Sequence, residues 1–292
     1  PLATRWLQRA KERGAIVLSV DPRYTRTSAF ADHYAKLRSG TDIAFVGGMI
    51  NYALENNFIN REYVTEYTNA SYLIDSRYGF DDGLFSGYDS GKRVYDKSTW
   101  VYELDAAGMP KRDTRLEHPR CVYQLLKKHF SRYSVDAVCQ ITGTPREDFR
   151  KICEVYMSTA APNRAGTWLY AMGTTQHTHG TQNIRTYSIL QLLLGNIGIA
   201  GGGVNAMRGE SNVQGSTDAA LLFHLLPGYL KSPAAADGDL ETYIKNYTPS
   251  TKDPLSANWW GNTPKYITSL LKAWYGDHAR AENGYCYDYV PK

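Results

Sequence analysis

The chain has 292 residues, of which 42% are hydrophobic and 21% are charged, and its formal net charge at pH 7 is +4. This composition is typical of a globular protein that is long enough to bury a sizeable core in one or two domains. The net charge is too small to indicate a nucleic-acid partner. No apolar run reaches the ~18 residues of a membrane-spanning helix, and no targeting segment is visible.

The cysteines give no indication of a metal site. Cys121, Cys139, Cys153 and Cys286 stand far apart, and none has the short spacing to another cysteine or histidine that metal ligands usually have. We interpret them as structural thiols. The two histidines of the stretch 173–180 have no acidic or cysteine partner nearby, so no metal ligand is expected in this chain.

The first predicted segment, residues 1–66, has α/β character. Its predicted elements are a helix over 1–12, a strand over 15–20 and helices over 42–56 and 60–67. The strand is a short apolar run between Gly14 and the pair Asp21-Pro22, which suits a buried parallel strand.

The second segment, residues 67–134, changes in character. Tyrosine, aspartate, serine and glycine dominate it, and its periodicity fades until a predicted helix over 121–132. Its aromatic residues argue against disorder, so we expect a long ordered insertion. Because aromatic side chains are favoured in interfaces, the insertion either packs on a partner or another domain, or is plain surface decoration.

The third segment, residues 135–231, is again α/β. Thr144–Glu147 has the pattern of a capping box, with proline at the first helical position, and predicts a helix to about residue 158. A strand over 164–170 and a helix over 180–194 follow. The last segment, 232–292, is predicted to be irregular and incomplete. Strands separated by helices predict Rossmann-like layered domains with a parallel sheet, within a larger multidomain subunit.

Polar residues follow the first predicted strand, where nucleotide-binding folds hold a ribose or a base edge. Asp21 ends that strand, and Arg23 and Thr25 add donors for a phosphate or a guanine. Gly40-Thr41-Asp42 then opens a helix whose backbone amides could bind an anion, although Thr41 or Asp42 could equally be an N-cap. No G-x-G-x-x-G follows the strand, so the usual NAD fingerprint is absent.

Two further stretches have the character of ligand loops. Residues 173–180 follow the second predicted strand, and ligands of open α/β sheets lie beyond the carboxyl ends of strands. From Gly195 to Gly215, seven glycines occur within 21 residues, which lets a backbone approach a bulky ligand closely. The same stretch holds one cation, Arg208, and several neutral polar side chains: Asn205, Ser211, Asn212, Gln214 and Thr217. We interpret it as a loop folded onto a large polar cofactor; the alternative is a flexible linker, although linkers rarely contain such residues.

These stretches resemble a known family. The run GGGVNAMRGESNVQGSTD at 201–218 resembles the active-site loop of the formate dehydrogenase large subunit, in the molybdopterin oxidoreductase superfamily. Residues 16–45, 68–134 and 173–196 resemble the same subunit in the expected order. The DPR and GTD elements at 21–23 and 40–42 mark the superfamily, and the insertion is specific to the respiratory, periplasm-facing formate dehydrogenases.

The resemblance implies a bis(molybdopterin guanine dinucleotide) cofactor with tungsten or molybdenum. It implies guanosine contacts from the DPR and GTD elements, namely Asp21, Arg23, Thr25, Gly40, Thr41 and Asp42. It also implies cofactor contacts from the two loops, namely Gly173, Gln176, His177, Gly209 and Glu210. Arg208 is the implied catalytic residue, because a guanidinium binds the carboxylate of formate through paired charge-assisted hydrogen bonds. The alternative is a structural arginine that bonds loop carbonyls.

The resemblance further implies the oxidation of formate to CO2, or the reverse, with electrons passed to iron–sulfur clusters. The implied partners are an iron–sulfur β subunit and a membrane cytochrome subunit, and the implied location is the periplasm. We expect an internal fragment that is inactive alone, whose [4Fe-4S] cysteines and selenocysteine or cysteine metal ligand lie upstream of Pro1. The alternatives are a nitrate or polysulfide reductase of the superfamily and a nucleotide-binding module without redox function.

Overall fold

The computed structural model describes residues 2–81, 83–210, 213–221, 225–252 and 256–292. The chain divides into two compact units, Pro1–Met207 and Arg208–Lys292. The boundary between the units falls inside the predicted segment 135–231, and the division of the chain into four segments stays a prediction.

The first unit combines helices of moderate length with very short strands. Its helices are α1 (Leu2–Glu12), α2 (Arg26–Phe30), α3 (Asp42–Glu55), α4 (Arg61–Tyr67), α5 (Val122–Phe130), α6 (Val135–Thr142), α7 (Arg146–Met157), α8 (Met172–Thr175) and α9 (Gly180–Leu194). Its strands are β1 (Leu18–Val20), β2 (His33–Ala35), β3 (Phe80–Asp81), β4 (Leu84–Phe85), β5 (Tyr88–Asp89), β6 (Val94–Tyr95), β7 (Thr167–Tyr170) and β8 (Gly203–Ala206). The predicted helices that correspond to α1, α3, α4, α5, α7 and α9 are confirmed, with ends that differ by at most two residues.

Parallel pairing defines the class of this unit. β1 pairs with β2, and β7 pairs with β8, both in parallel. The predicted α/β class is therefore confirmed, although each parallel sheet has two strands among the residues that the structure describes. The two strands that the sequence predicts, over 15–20 and 164–170, are shorter in the structure, because only their last residues lie beside a neighbouring strand.

Helices α3 and α9 lie in the core of the first unit. Phe45, Met49 and Ile50 of α3 and Leu190 and Leu194 of α9 are buried in one hydrophobic cluster. A helix that is apolar nearly all round is a buried helix, and α3 matches this description. The amino-terminal ends of these two helices carry the segments that the sequence singles out, so the core fixes where those segments lie.

The insertion is ordered by hydrogen bonds between side chains and the backbone rather than by long elements. The Asp113 carboxylate accepts from the amide of Glu117 at 2.7 Å and from that of His118 at 2.6 Å. The Arg120 guanidinium donates to the carbonyl groups of Ile74, Asp75 and Tyr78. Along the chain between Tyr78 and Asp113, β3 to β6 form two short antiparallel hairpins. The described residues of the insertion thus form short strands and turns held by side-chain hydrogen bonds, and the assignment of 67–134 as an insertion stays a prediction.

The predicted capping box before α7 is wrong. The Thr144 hydroxyl donates to the Lys36 carbonyl at 2.6 Å, which ties the start of α7 to the chain after β2. Pro145 is the N-cap residue and makes no side-chain capping bond. The hydroxyl that would cap the helix is therefore engaged in a tertiary contact that a local pattern does not reveal.

The second unit has a small core of its own. Its elements are α10 (Val213–Asp218), β9 (Leu225–Leu226), β10 (Leu230–Lys231), α11 (Leu240–Tyr247) and α12 (Thr263–Tyr275). The prediction that 232–292 is irregular is wrong where α11 and α12 form. Tyr243 of α11 and Ile267 and Leu271 of α12 are fully buried in one cluster, and Asp239 caps α11 by accepting from the Thr242 amide. Within the described residues, no helix has both the length and the apolar character that a bilayer span requires.

Candidate cofactor site

Asp21 lies at the carboxyl end of β1, as the sequence predicts. Its amide donates to the Ala35 carbonyl at 3.2 Å, which extends the ladder with β2 by one residue. One carboxylate oxygen, Oδ1, accepts from the Arg23 amide at 2.8 Å. The Tyr34 hydroxyl donates to the Asp21 carbonyl at 2.9 Å. The backbone of Asp21 is therefore fixed, while Oδ2 has no partner within the described ranges and is an acceptor for a ligand hydroxyl or N–H.

Arg23 and Thr25 differ in how much of their side chain is engaged. Thr25 is the N-cap of α2: its hydroxyl accepts from the Ser28 amide at 3.2 Å, and the Ser28 hydroxyl accepts from the Thr25 amide at 3.1 Å. Thr25 thus has a local structural role, and its contact with a cofactor stays a prediction. Arg23 is exposed, and its guanidinium forms no ion pair in the part of the chain that the structure describes.

The GTD element starts α3. Gly40 has a φ of +81°, and no described atom lies within 4 Å of where its Cβ would be. Thr41 occupies the N-cap position, but its hydroxyl donates to the Arg38 carbonyl at 2.6 Å and makes no capping bond. The simple N-cap alternative therefore does not hold for Thr41. The first-turn amides of α3 receive no capping bond from this side chain.

The loop after β7 begins with α8. The His177 ring nitrogen Nε2 lies 2.9 Å from the Gly173 carbonyl, so the imidazole closes this loop on itself. No described atom lies within 4 Å of where a Cβ on Gly173 would be, and the Gln176 side chain is exposed. The loop thus presents an open, polar surface directly beyond the carboxyl end of a strand. Among the described residues, no three histidine, cysteine, aspartate or glutamate side chains are grouped as metal ligands.

Tyr187 brings the two predicted halves of the site together. Its hydroxyl lies 3.4 Å from Oδ1 of Asp42 at the start of α3 and 3.4 Å from Oγ1 of Thr174 in the loop after β7. Its ring stacks on Trp168 of β7 at a centroid distance of 4.5 Å. The GTD element and the 173–180 loop therefore lie one side chain apart. Sequence reasoning missed Tyr187; the available signal was that a tyrosine on an apolar helix face needs a partner for its hydroxyl.

The protonation of Tyr187 follows from its surroundings. Burial raises the pKa of Tyr187 above its ordinary value, and the nearby Asp42 carboxylate raises this pKa further. The hydroxyl therefore keeps its proton at any physiological pH. Because a carboxylate can only accept, Tyr187 donates to Asp42, and Thr174 donates to Tyr187.

The side chain of Asn183 is only partly satisfied by hydrogen bonds within the described residues. It is fully buried, and its Nδ2 donates to the Thr174 carbonyl at 3.0 Å. Its Oδ1 is buried and has no hydrogen-bond donor among the described residues. Such an unpaired acceptor costs about 1–3 kcal/mol, and an N–H group of a ligand would remove this cost. The open space beside Gly40 and Gly173 leaves room for a polar cofactor next to the same two segments.

Part of the predicted glycine-rich loop is a strand. Gly203–Ala206 forms β8, in which the Gly203 amide donates to the Asn196 carbonyl at 2.7 Å. Asn205, which the sequence predicts on a ligand surface, instead donates from Nδ2 to Oγ1 of Thr167 at 2.7 Å. Its amide joins β8 to β7, so the expectation of a loop is wrong for residues 203–206. The contact of this stretch with a cofactor stays a prediction.

Arg208, Gly209 and Glu210 open the second unit. The residue before them, Met207, donates its amide to the Tyr170 carbonyl at 2.6 Å and so prolongs the ladder between β7 and β8. Arg208 and Glu210 are exposed, and neither forms an ion pair within the described residues. Ser211 and Asn212 lie outside the described residues. The catalytic role of Arg208 and the cofactor contacts of its neighbours stay predictions.

Comparison with known proteins identifies the family. The model of the molybdopterin oxidoreductase family matches residues 1–269. The chain belongs to this molybdopterin oxidoreductase family, and the resemblance seen in the motifs is confirmed.

The similar proteins are formate dehydrogenase subunits. Over its whole length, the chain is 55% identical to the major subunit of nitrate-inducible formate dehydrogenase and 53% identical to the formate dehydrogenase-O major subunit, both of Escherichia coli. It is also 53% identical to the formate dehydrogenase alpha subunit of Megalodesulfovibrio gigas. The chain spans 29% of the length of each of these relatives. Acetylene hydratase from Pelobacter acetylenicus superimposes on 67% of this chain, covering 19% of its own, with 22% identity and a TM-score of 0.44, too low to identify a shared fold by itself.

Proposed function

We propose that this chain is the central cofactor-binding part of a formate dehydrogenase catalytic subunit, which interconverts formate and CO2. The observation that carries the proposal is the 53–55% identity to three formate dehydrogenase subunits over the whole chain. This similarity includes the insertion, whose resemblance implies the respiratory type. The contact of Tyr187 with both Asp42 and Thr174 supports it, since two segments predicted to hold one cofactor lie side by side.

The residues of this chain would hold a bis(molybdopterin guanine dinucleotide) group at two places. Asp21 offers a carboxylate oxygen to a ribose hydroxyl or a guanine N–H, and the Gly40–Asp42 turn adds backbone amides. Gly173 and Gln176 offer an open loop surface to the pterin. When bound, the cofactor supplies a tungsten or molybdenum centre that takes up the two electrons of formate oxidation.

Arg208 binds the substrate in this proposal. A guanidinium binds a carboxylate through two parallel charge-assisted hydrogen bonds, which fixes the orientation of formate as well as its charge. With both oxygens held in this way, the C–H bond of formate points away from the arginine. An exposed arginine without an ion pair in the described residues is free to make this contact.

The proposal extends to the rest of the enzyme. The [4Fe-4S] cluster and the selenocysteine or cysteine metal ligand are provided by other segments of the same subunit. Electrons pass to an iron–sulfur β subunit and a membrane cytochrome subunit, and the enzyme works in the periplasm. These parts rest on the resemblance to the respiratory formate dehydrogenases.

Analysis of the whole purified enzyme tests the proposal. Elemental analysis for tungsten, molybdenum, selenium, iron and phosphorus, with pterin fluorescence from the same sample, is expected to detect a pterin cofactor, one of the two metals, and iron. Formate oxidation is expected to exceed nitrate reduction. Nitrate or polysulfide turnover without formate oxidation would favour another enzyme of the family, and a sample without pterin would favour a nucleotide-binding module.

A further inference from the structure

A chain of partly buried polar contacts connects three elements of the first unit. Asn183 of α9 donates to the Thr174 carbonyl at 3.0 Å. Thr174 and Tyr187 are joined through their hydroxyl groups at 3.4 Å, and Tyr187 donates to Asp42 at 3.4 Å. We call these four residues the polar seam. It runs from α9 through the loop after β7 to the first residue of α3.

The polar seam has one continuous direction of hydrogen-bond donation. Asp42 is the terminal acceptor, Tyr187 donates to it, and Thr174 donates to Tyr187. The seam thus links the Thr174 turn to the side chain that begins α3. Both O–O distances of 3.4 Å exceed the usual 2.7–2.8 Å for hydroxyl donors, so each contact is weak in this state and has room to shorten.

Tyr187 is the rigid member of the polar seam. Only 3% of its surface is exposed, and its ring stacks on Trp168 at 4.5 Å, so the hydroxyl cannot move far. The ends of the seam are less constrained. Asp42 follows the Gly40 turn, and Thr174 follows Gly173, and both glycines have open space beside them. Tyr187 thus has a fixed position between the turns at Gly40 and Gly173, and this position can set the distance between them.

We propose that Tyr187 is a positioning residue that sets the distance between the guanosine-binding turn at Gly40–Asp42 and the pterin-binding loop at 173–180. This inference rests on the proposed function, because it assigns both segments to one dinucleotide cofactor. Tyr187 itself does not touch the reacting atoms.

The test uses the full-length enzyme with Tyr187→Phe, which keeps the ring and its stacking but removes the hydroxyl. Tyr156→Phe is the matched control. Tyr156 is also buried, its ring also packs on Trp168, at 5.6 Å, and its hydroxyl donates to Gln191 at 2.8 Å, away from both glycine turns. The readouts are the pterin and guanine nucleotide retained per chain after timed dialysis, the melting temperature without cofactor, and formate kcat and KM.

Tyr187→Phe removes two long and therefore weak hydrogen bonds, to Asp42 and from Thr174. It is expected to lose cofactor about two- to tenfold faster than wild type, a change comparable to the loss of one hydrogen bond of normal length. Tyr156→Phe is expected to keep the wild-type rate of loss even if its melting temperature falls. Thr174→Val, at a half-buried turn, should reproduce the Tyr187→Phe effect, and the double variant should lose no more than either single variant, since both interrupt one connection.

Three results would overturn the inference. Cofactor retention in Tyr187→Phe equal to that of wild type would remove Tyr187 from positioning. Equal losses in Tyr187→Phe and Tyr156→Phe that follow the melting temperature would assign it a purely structural role. A wild-type enzyme that contains neither pterin nor guanine nucleotide before dialysis would contradict the proposed function, and the inference with it. If Tyr187→Phe does not fold, Thr174→Val alone decides through cofactor retention.

Discussion

Arg208 is the residue that binds formate in the proposed function. Replacement by lysine keeps the positive charge but loses the planar fork that holds both oxygens of a carboxylate. The loss of one charge-assisted hydrogen bond costs about 1.5–3 kcal/mol, which corresponds to about a tenfold to hundredfold decrease in kcat/KM for formate. Replacement by alanine is expected to cost more. Formate kinetics and metal content should be measured on the same full-length preparations.

The control for this prediction is Arg164→Ala, which removes another exposed arginine. It is expected to leave both kinetics and metal content unchanged. Near wild-type kinetics in Arg208→Ala would exclude this residue from the mechanism. A loss of metal in the same variant would instead make it a structural residue of the cofactor site.

Residues differ in how far the sequence alone could assign them. Asp21 follows a short apolar run and precedes a proline, and this local pattern correctly predicts its place at the end of a strand. Tyr187 and Asp42 are separated by 145 positions along the chain, so no local pattern connects them. The capping role predicted for Thr144 is wrong for the same reason, because its hydroxyl bonds to Lys36, which lies 108 positions away. Side chains whose role depends on a distant partner were therefore invisible to sequence reasoning.

The close packing of α3 at Gly48 determines how a substitution there changes the stability of the protein. A Cβ at Gly48 would lie 2.5 Å from Cγ2 of Val138 and 2.9 Å from the ring of Phe149. Alanine normally stabilises a helix relative to glycine by about 1 kcal/mol. Here overpacking opposes this gain and typically costs about 1–3 kcal/mol. Gly48→Ala is therefore expected to lower the midpoint of urea unfolding.

Gly261→Ala is the matched control for this substitution, since no described atom lies within 4 Å of where its Cβ would be. It is expected to leave the unfolding midpoint unchanged or slightly raised. A rise in stability for Gly48→Ala would mean that α3 and α6 separate at no cost and that the close approach is not needed.

The carboxylate of Asp237 makes the stability of the second unit depend on pH. Its buried carboxylate accepts from the Ala234 amide and the Asn246 side chain at 2.8 Å and from the Tyr247 hydroxyl at 2.9 Å. These hydrogen bonds, led by that of Ala234, lower the pKa of Asp237 below its ordinary value. A lowered pKa in the folded state adds stability above the unfolded pKa of about 3.9, and this stability is lost as the pH falls through the folded pKa.

Asp237→Asn is therefore expected to lower the melting temperature at pH 7, and the difference from wild type should shrink as the pH approaches 3. Thermal unfolding followed by circular dichroism across this range would measure it. Asp277→Asn, at an exposed position, is the control. A difference that stays constant from pH 7 to pH 3 would show that packing, and not the charge of Asp237, is the cause.

Some elements could be predicted from the sequence and others could not. Helices α3 and α9 are long and apolar, and their patterns predict them almost to the residue. Strand β8 could not be predicted, because it consists of Gly203, Val204, Asn205 and Ala206 and is held by the neighbouring β7 and by amide side chains. The helices of the second unit were missed because many polar and aromatic residues surround their few apolar positions.

The chain on its own is expected to be inactive, because in the proposed function it is one part of a larger catalytic subunit. The chain spans 29% of the length of its formate dehydrogenase relatives, and in the proposed function the [4Fe-4S] cysteines and the metal ligand lie in other segments. Residues 1–292, purified alone, are therefore expected to show no formate oxidation with an artificial electron acceptor. The full-length subunit, assayed in the same buffer and with the same acceptor, is the control and is expected to turn over. Sustained formate oxidation by the isolated chain would show that it contains every catalytic group, and the assignment of the metal ligand to another segment would then be wrong.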